Sequence, residues 1–188
     1  QMNNLSGRPA ALVLRPADAP ETVECYRMAM ENRESPSILI FSRQDIKNLP
    51  GADRRQQANG ARHGGYIVMD AEEPQVVLLA DGSEVSLLCD VAEQLTKEGT
   101  RVRVVSMPSI GVFMQQPKEY RDKVLPPSVP TFALTAGLPA VFAPLRRDNW
   151  EIYGLERFGA SAPYKVLDEK FGFTQENILE NVKHFLSI

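Results

Sequence analysis

Arg43 stands directly after an apolar run, Ser37-Ile38-Leu39-Ile40-Phe41, with only Ser42 between, and Gln44 follows it. In open α/β sheets, ligands bind beyond the carboxyl ends of strands. An arginine there presents a planar fork of donors that suits phosphate or carboxylate. The same place also suits an ion pair with an acidic neighbour, and position alone favours that simpler role. Asp81-Gly82-Ser83, after the run Gln75 to Ala80, is a second candidate, because a glycine turn into a helix N-terminus can hold an anion. The Asp81 carboxylate would repel an incoming phosphate, and no lysine or further glycine follows. The stretch therefore reads as a structural turn with Ser83 capping the next helix.

The remaining candidates are weaker. His63, beside Gly64-Gly65, is a candidate proton carrier by residue type, yet no nucleophile or orienting carboxylate stands near it in the sequence. His184 lies toward the carboxyl end of a helix, where a cation suits the helix dipole. Cys25 and Cys89 are far apart and fall on buried helix faces, so they read as small core residues rather than a disulfide or ligands. With so few His and Cys residues, a zinc site built from them is not expected. Arg146-Arg147, beside Asp148 and Trp150, falls where no element can be drawn, and reads as a solvated loop or interface corner.

The elements that must position Arg43 form a βαβ unit. Ala10 to Leu14 is a short apolar run of the kind a doubly covered strand shows. Asp18 can cap a helix whose first turn takes Pro20, with Glu21 placed to reach back to the cap. Val23, Tyr26 and Met30 recur at helical spacing as the expected buried stripe, leaving Glu24, Arg27 and Glu31 for water. Ser37 to Phe41 is then the second strand. A bare βαβ unit is too small to fold independently, so further chain is expected to precede or cover it.

From about Asp45 to His63 the sequence carries little apolar periodicity and reads as a linker over the surface. A second unit follows. Tyr66–Met69, Gln75–Ala80, Arg101–Met107 and Val129–Leu134 read as strands. A helix with Val85, Leu88, Cys89, Ala92 and Leu95 on one face stops at Gly99. A short helix from Pro163 to Phe171 and a last one from Thr174, with Ile178, Val182 and Phe185 as its buried stripe, close the chain. Strand, helix and strand with short connections imply right-handed crossovers. The fold class is α/β, a mainly parallel sheet flanked by helices, preceded by the βαβ unit.

Composition agrees with a globular chain of 188 residues, 43% hydrophobic and 24% charged. A net charge of -3 gives no electrostatic case for nucleic acid. No apolar run approaches the ~20 residues of a membrane-spanning helix. Gln1-Met2-Asn3-Asn4 shows no basic start before an apolar stretch, so no secretory signal is expected. A reducing, cytoplasmic compartment fits this cysteine usage.

Longer patterns sharpen the reading. They are Val13-Leu14-Arg15-Pro16-Ala17-Asp18 with Glu21-Thr22, then Phe41-Ser42-Arg43-Gln44, Gly82-Ser83-Glu84-Val85 and Arg103-Val104-Val105-Ser106-Met107-Pro108. Phe158-Gly159-Ala160-Ser161-Ala162-Pro163 and Phe171-Gly172-Phe173-Thr174 complete the series. In this order and spacing, from residue 12 onward, the chain resembles transketolase. The resemblance implies that residues 1–44 end the pyrimidine-binding domain, 45–62 form a linker and 63–188 form the C-terminal domain.

In that family, thiamine diphosphate sits with a divalent cation, Mg or Ca, between the diphosphate-binding domain and the partner subunit's pyrimidine domain. The metal motif Gly-Asp-Gly, the activating glutamate and most substrate-contacting histidines lie upstream, and none is found in this sequence. The resemblance therefore implies the C-terminal portion of an enzyme moving a two-carbon ketol unit between sugar phosphates, inactive alone. Its partners would be the upstream domains and, in the intact homodimer, a second subunit. One site residue carries over. Arg43 matches the arginine of the Ser-Arg-Gln motif, which contacts the phosphate end of the substrate, and this reverses the reading from position alone. Ser83 and Ser161 would be caps, and Pro163 would sit in a first helical turn. The chain departs from the family at Asp81, where Thr or a small residue is usual, and over Leu138–Tyr153. Two other readings stay open: a separate subunit of a split transketolase, or an independent module binding a small ligand or a protein.

Overall fold

The computed structural model describes residues 11–187; Ala10, read as the start of the first strand, lies outside them. Strands β1 (Leu12–Leu14) and β2 (Ser37–Leu39) pair in parallel, Val13 opposite Ile38, and helix α1 (Ala19–Glu31) connects them. Asp18 caps α1 as its position suggests: its Oδ1 accepts the Glu21 N–H at 2.9 Å. The Glu21 side chain does not reach the cap residue itself. It accepts the N–H of Ala17 at 2.5 Å.

The buried face of α1 is the reverse of the expected one. Glu21, Glu24 and Cys25 are buried, whereas Val23 is 51%, Tyr26 50% and Met30 71% exposed. The polar face won because arginines, a tyrosine and a serine from later in the chain meet it and satisfy its carboxylates. The periodicity located the apolar stripe but could not reveal which side of the helix the rest of the chain would cover.

Residues 45–62 are likewise more than a surface tether. Helix α2 (Arg54–Ala58) and a 3-10 turn (Asn59–His63) form there, and Leu49, Ala58 and Ala61 are buried. These small, widely spaced apolar residues leave no periodic trace in the sequence.

The second unit is a five-stranded sheet of β3 (Tyr66–Met69), β4 (Val76–Ala80), β5 (Val102–Ser106), β6 (Thr131–Leu134) and β7 (Trp150–Tyr153), ordered β3-β5-β4-β6-β7. All pairs are parallel except β3 with β5. β4 is buried at every residue, as a strand covered on both faces must be. Alternation along the strands builds two cores. Leu78, Val104 and Phe132 pack under α3 (Glu84–Lys97) and α7 (Gln175–Leu186), with Val85, Leu88, Leu95, Ile178 and Val182. Val77, Leu79, Val105 and Ala133 face the other way, against Phe113 of α4 (Ile110–Met114), Val124 of α5 (Lys118–Val124), Phe142 and Trp150. Each fully buried Leu or Phe contributes ~1.5–3 kcal/mol. Cys25 and Cys89 are buried and unpaired, as expected, and burial pushes the Cys89 thiol up to about 12, which leaves it inert.

Two caps differ from expectation. The Ser83 hydroxyl donates to Glu84 Oε1 at 2.6 Å instead of capping α3. Helix α6 (Tyr164–Phe171) begins one residue after Pro163, which itself occupies the cap position, so Ser161 caps nothing. Arg146-Arg147 and Trp150, unplaced in the sequence, flank and open the edge strand β7.

Candidate functional site

The chain leaves β4 toward α3 on one face of the sheet, while the connection from β5 to β6 crosses back over β4 through α4 and α5 on the other. The loops after β4 and β6 therefore diverge, and their crevice is the topological switch point where such sheets bind ligands. Asp81 and Thr135 stand at its two sides.

Arg15, from the end of β1, fills that crevice. Its Nη1 donates to the Asp81 carbonyl at 2.7 Å and to Asp81 Oδ1 at 2.8 Å, and it lies 2.5 Å from Glu84 Oε2. The Arg15 N–H donates to the Pro108 carbonyl and its own carbonyl accepts the Gly82 N–H. Burial pushes the Asp81 carboxyl above the ordinary range, and Arg15 opposes that push. A cavity of about 960 Å³ opens beside this cluster, lined by Arg15, Asp81, Met107 and Thr135. Its one buried cation is already neutralised by two carboxylates, so it offers an anion no free positive charge.

A second polar cluster joins the βαβ unit to the larger sheet. Glu21 Oε1 accepts the hydroxyls of Tyr66 and Ser106, each at 2.7 Å. Arg54 Nη2 donates to the Tyr66 hydroxyl at 2.5 Å. Asp18 Oδ2 accepts from Arg54 Nε at 2.6 Å and from the Leu49 N–H at 3.0 Å. Glu24 accepts from Arg27 at 2.6 Å and from Arg62 at 3.1 Å. Burial raises the Glu21 carboxyl above its usual range, against the lowering effect of the Ser106 and Tyr66 hydrogen bonds. Apart from Arg27–Glu24 and Arg54–Tyr66, which are 3 and 12 residues apart, these partnerships join residues 31 to 85 positions apart and are not legible in sequence.

Arg43 lies apart from both clusters. It is exposed on the irregular segment after β2, and among the described residues it forms no ion pair with an acidic neighbour. The Ser42 hydroxyl donates to the Gln44 carbonyl at 2.8 Å, turning the chain locally around it. His63 stacks on Tyr120 at 4.9 Å, and His184 is exposed near the end of α7.

Residues 64–174 match the family described as the transketolase-like TK C-terminal domain. The chain belongs to the transketolase family. It corresponds to the C-terminal portion: it is 40% identical over its whole length to Transketolase 2 of Vibrio parahaemolyticus, and spans 28% of that protein. Transketolase from Leishmania mexicana superposes with a TM-score of 0.88 at 37% identity, covering 98% of this chain and 26% of that one. A Pichia stipitis transketolase solved in complex with sedoheptulose-7-phosphate gives 0.88 at 31% identity, over 99% and 26%.

The portion present does not fit the family's cofactor. Among the described residues, no three His, Cys, Asp or Glu side chains come together as a metal site. The buried carboxylates of Asp18, Glu21, Glu24, Asp81 and Glu84 are all taken by arginines, hydroxyls or backbone N–H groups. Among the described residues of this transketolase C-terminal portion, no such group is arranged to hold a divalent ion with a diphosphate.

Proposed function

We propose that this chain works as the C-terminal portion of a thiamine-diphosphate-dependent transketolase, which moves a two-carbon ketol unit between sugar phosphates in the cytoplasm. Arg43 binds the phosphate end of the sugar, and the upstream domains, paired in a homodimer, hold the cofactor and its divalent cation. In this reading residues 1–44 complete the pyrimidine-binding domain, 45–62 connect, and 63–188 form the C-terminal domain.

The observation that carries the role of Arg43 is its freedom: a permanently charged fork stands beyond the carboxyl end of a strand and is spent on no carboxylate among the described residues. A fixed cation far from the reacting carbon supplies remote binding energy that positions the sugar. The apolar stripe of α1 supports the upstream partner. Val23, Tyr26, Met30 and Phe41 are all about half exposed or more, with Tyr26 stacked on Phe41 at 5.8 Å. Beside them the β1-β2 sheet has two strands among the described residues, and such a pair is marginal alone.

The test is kinetic. In the full-length transketolase containing this chain, Arg43→Ala is compared with the parent on a phosphorylated and an unphosphorylated acceptor. Selective loss with the phosphorylated acceptor is expected, and equal loss with both overturns the assignment.

A further inference from the structure

The pair Arg146-Arg147 is divided by the fold. Arg147 is committed, donating to the Leu125 carbonyl at 3.0 Å and pairing with Asp122 at 3.5 Å. Arg146 turns instead toward a groove of about 540 Å³ beside the outer edge of β7. Arg157, from the loop after β7, and Lys170, from the last turn of α6, line the same groove. Three cations from three separate segments thus converge, and among the described residues none of them forms an ion pair. Glu156 is the only acid in the lining, leaving a net charge of two positive.

We propose that this groove binds a phosphate-bearing small molecule, at a site separate from Arg43. The volume lies within the range of small-molecule sites. Two guanidinium forks and an ammonium match the oxygens of a phosphate monoester better than they match a single carboxylate. Ile152, Tyr153, Leu155 and Phe171 give the body of the ligand an apolar wall.

The site is held in shape rather than left to side-chain chance. Tyr153 donates its hydroxyl to the Phe171 carbonyl at 2.8 Å, and Asn177 donates to the Gly172 carbonyl at 2.8 Å. The Leu155 N–H donates to the Gly137 carbonyl at 2.8 Å. The Arg157 guanidinium rests over the Phe171 ring at 5.7 Å, which restricts its orientation. The carbonyl end of α6 would oppose an anion, but the N–H groups of Gly172 and Phe173 cap two of those carbonyls and Lys170 offsets the rest. The contrast with the switch-point crevice decides the location. There the arginine is neutralised by Asp81 and Glu84, and here the cations are unspent.

Amide NMR of the 188-residue chain tests this at constant ionic strength, with inorganic phosphate, glycerol phosphate and adenosine monophosphate in separate arms. Saturable shifts are expected at Gly154, Arg157 and Lys170 in every arm, with a dissociation constant of about 1 mM or below for at least one. The order of the two esters tells a sugar-phosphate-like ligand from a nucleotide. Arg157→Ala with Lys170→Ala weakens binding about tenfold or more, while Glu156→Gln tightens it. All these side chains are exposed, so the spectra of the variants otherwise superimpose on the parent. Shifts that never saturate, that centre on Arg43, or that persist unchanged in the double variant overturn the proposal.

Discussion

Arg54 and Asp18, 36 residues apart, meet in a two-point contact: Nε to Oδ2 at 2.6 Å and Nη2 to Oδ1 at 3.1 Å. The same carboxylate also accepts the N–H of Glu21, which starts α1, and that of Leu49, which fixes the segment after β2. One side chain thus ties together three stretches of backbone. Removing it strands a buried guanidinium, so Asp18→Ala is expected to cost ~3–5 kcal/mol. Arg54→Met, which keeps volume and leaves Asp18 two backbone donors, costs less, ~1–3 kcal/mol. Urea unfolding of both variants measures the difference. Equal losses would show that the backbone donors to Asp18 contribute little.

Glu21 makes the junction pH-dependent. Its folded carboxyl titrates above the ordinary glutamate value of ~4.3, chiefly because it is buried. In the interval between those two values the folded state holds more protons than the unfolded one. Stability therefore falls as pH rises through that interval and is regained on acidification toward the ordinary value. Glu21→Gln removes this contribution, so a plot of stability against pH flattens there relative to the parent. A variant with the parent's slope places the titration elsewhere.

How much of this was readable follows from the range of each interaction. Periodic stripes such as Val85, Leu88, Ala92 and Leu95 report a face that one helix buries, and they were placed correctly. The Val23, Tyr26 and Met30 stripe obeyed the same rule yet points outward, because periodicity names an apolar face without naming its cover. α2, α4 and β7 are only 5, 5 and 4 residues long, too short for a period to register. The phosphate role proposed for Arg43 came only from a motif, since its type and place alone favoured an ion pair. Arg15 was legible as part of a motif but not as the plug of a crevice, because Asp81 and Glu84 reach it across 66 or more residues.

Gly82 shows how closely the plug fits. Its φ is +61°, and a Cβ added there would lie 2.6 Å from Cζ of Arg15. Gly82→Ala therefore meets both a left-handed backbone and the guanidinium that joins the two units. A loss of ~1–3 kcal/mol is expected, and a paired Arg15→Ala/Gly82→Ala variant relieves the clash but not the φ strain. A double-mutant cycle in urea separates the two. Additive losses would mean that Arg15 moves aside at no cost.

In the role proposed for Arg43, charge-assisted hydrogen bonds to one phosphate would be worth ~1.5–3 kcal/mol. Arg43→Ala in the full-length enzyme is expected to lower kcat/KM for a phosphorylated acceptor roughly 10- to 100-fold. The change with an unphosphorylated acceptor stays within about twofold. Arg43→Lys recovers part of the loss, because the charge remains while the fork is gone.

The outward stripe of α1 separates folding of this portion from assembly. Val23 and Met30 are half exposed or more and Tyr26 stacks on the half-exposed Phe41, so replacing all three by Ser changes the stability of the 188-residue chain modestly, by about 0.5 kcal/mol at Val23 and Met30 and ~0.5–1.5 kcal/mol at Tyr26. In full-length transketolase, on the assembly proposed above, the same three changes put hydroxyls against the surface with which the upstream domains cover the stripe. Each large apolar group withdrawn from such an interface forfeits ~1.5–3 kcal/mol. Thermal unfolding of the two proteins side by side reads the contrast. A large drop in the short chain would show that the stripe serves the C-terminal portion itself, and no drop in the full-length enzyme would leave the stripe without the proposed partner.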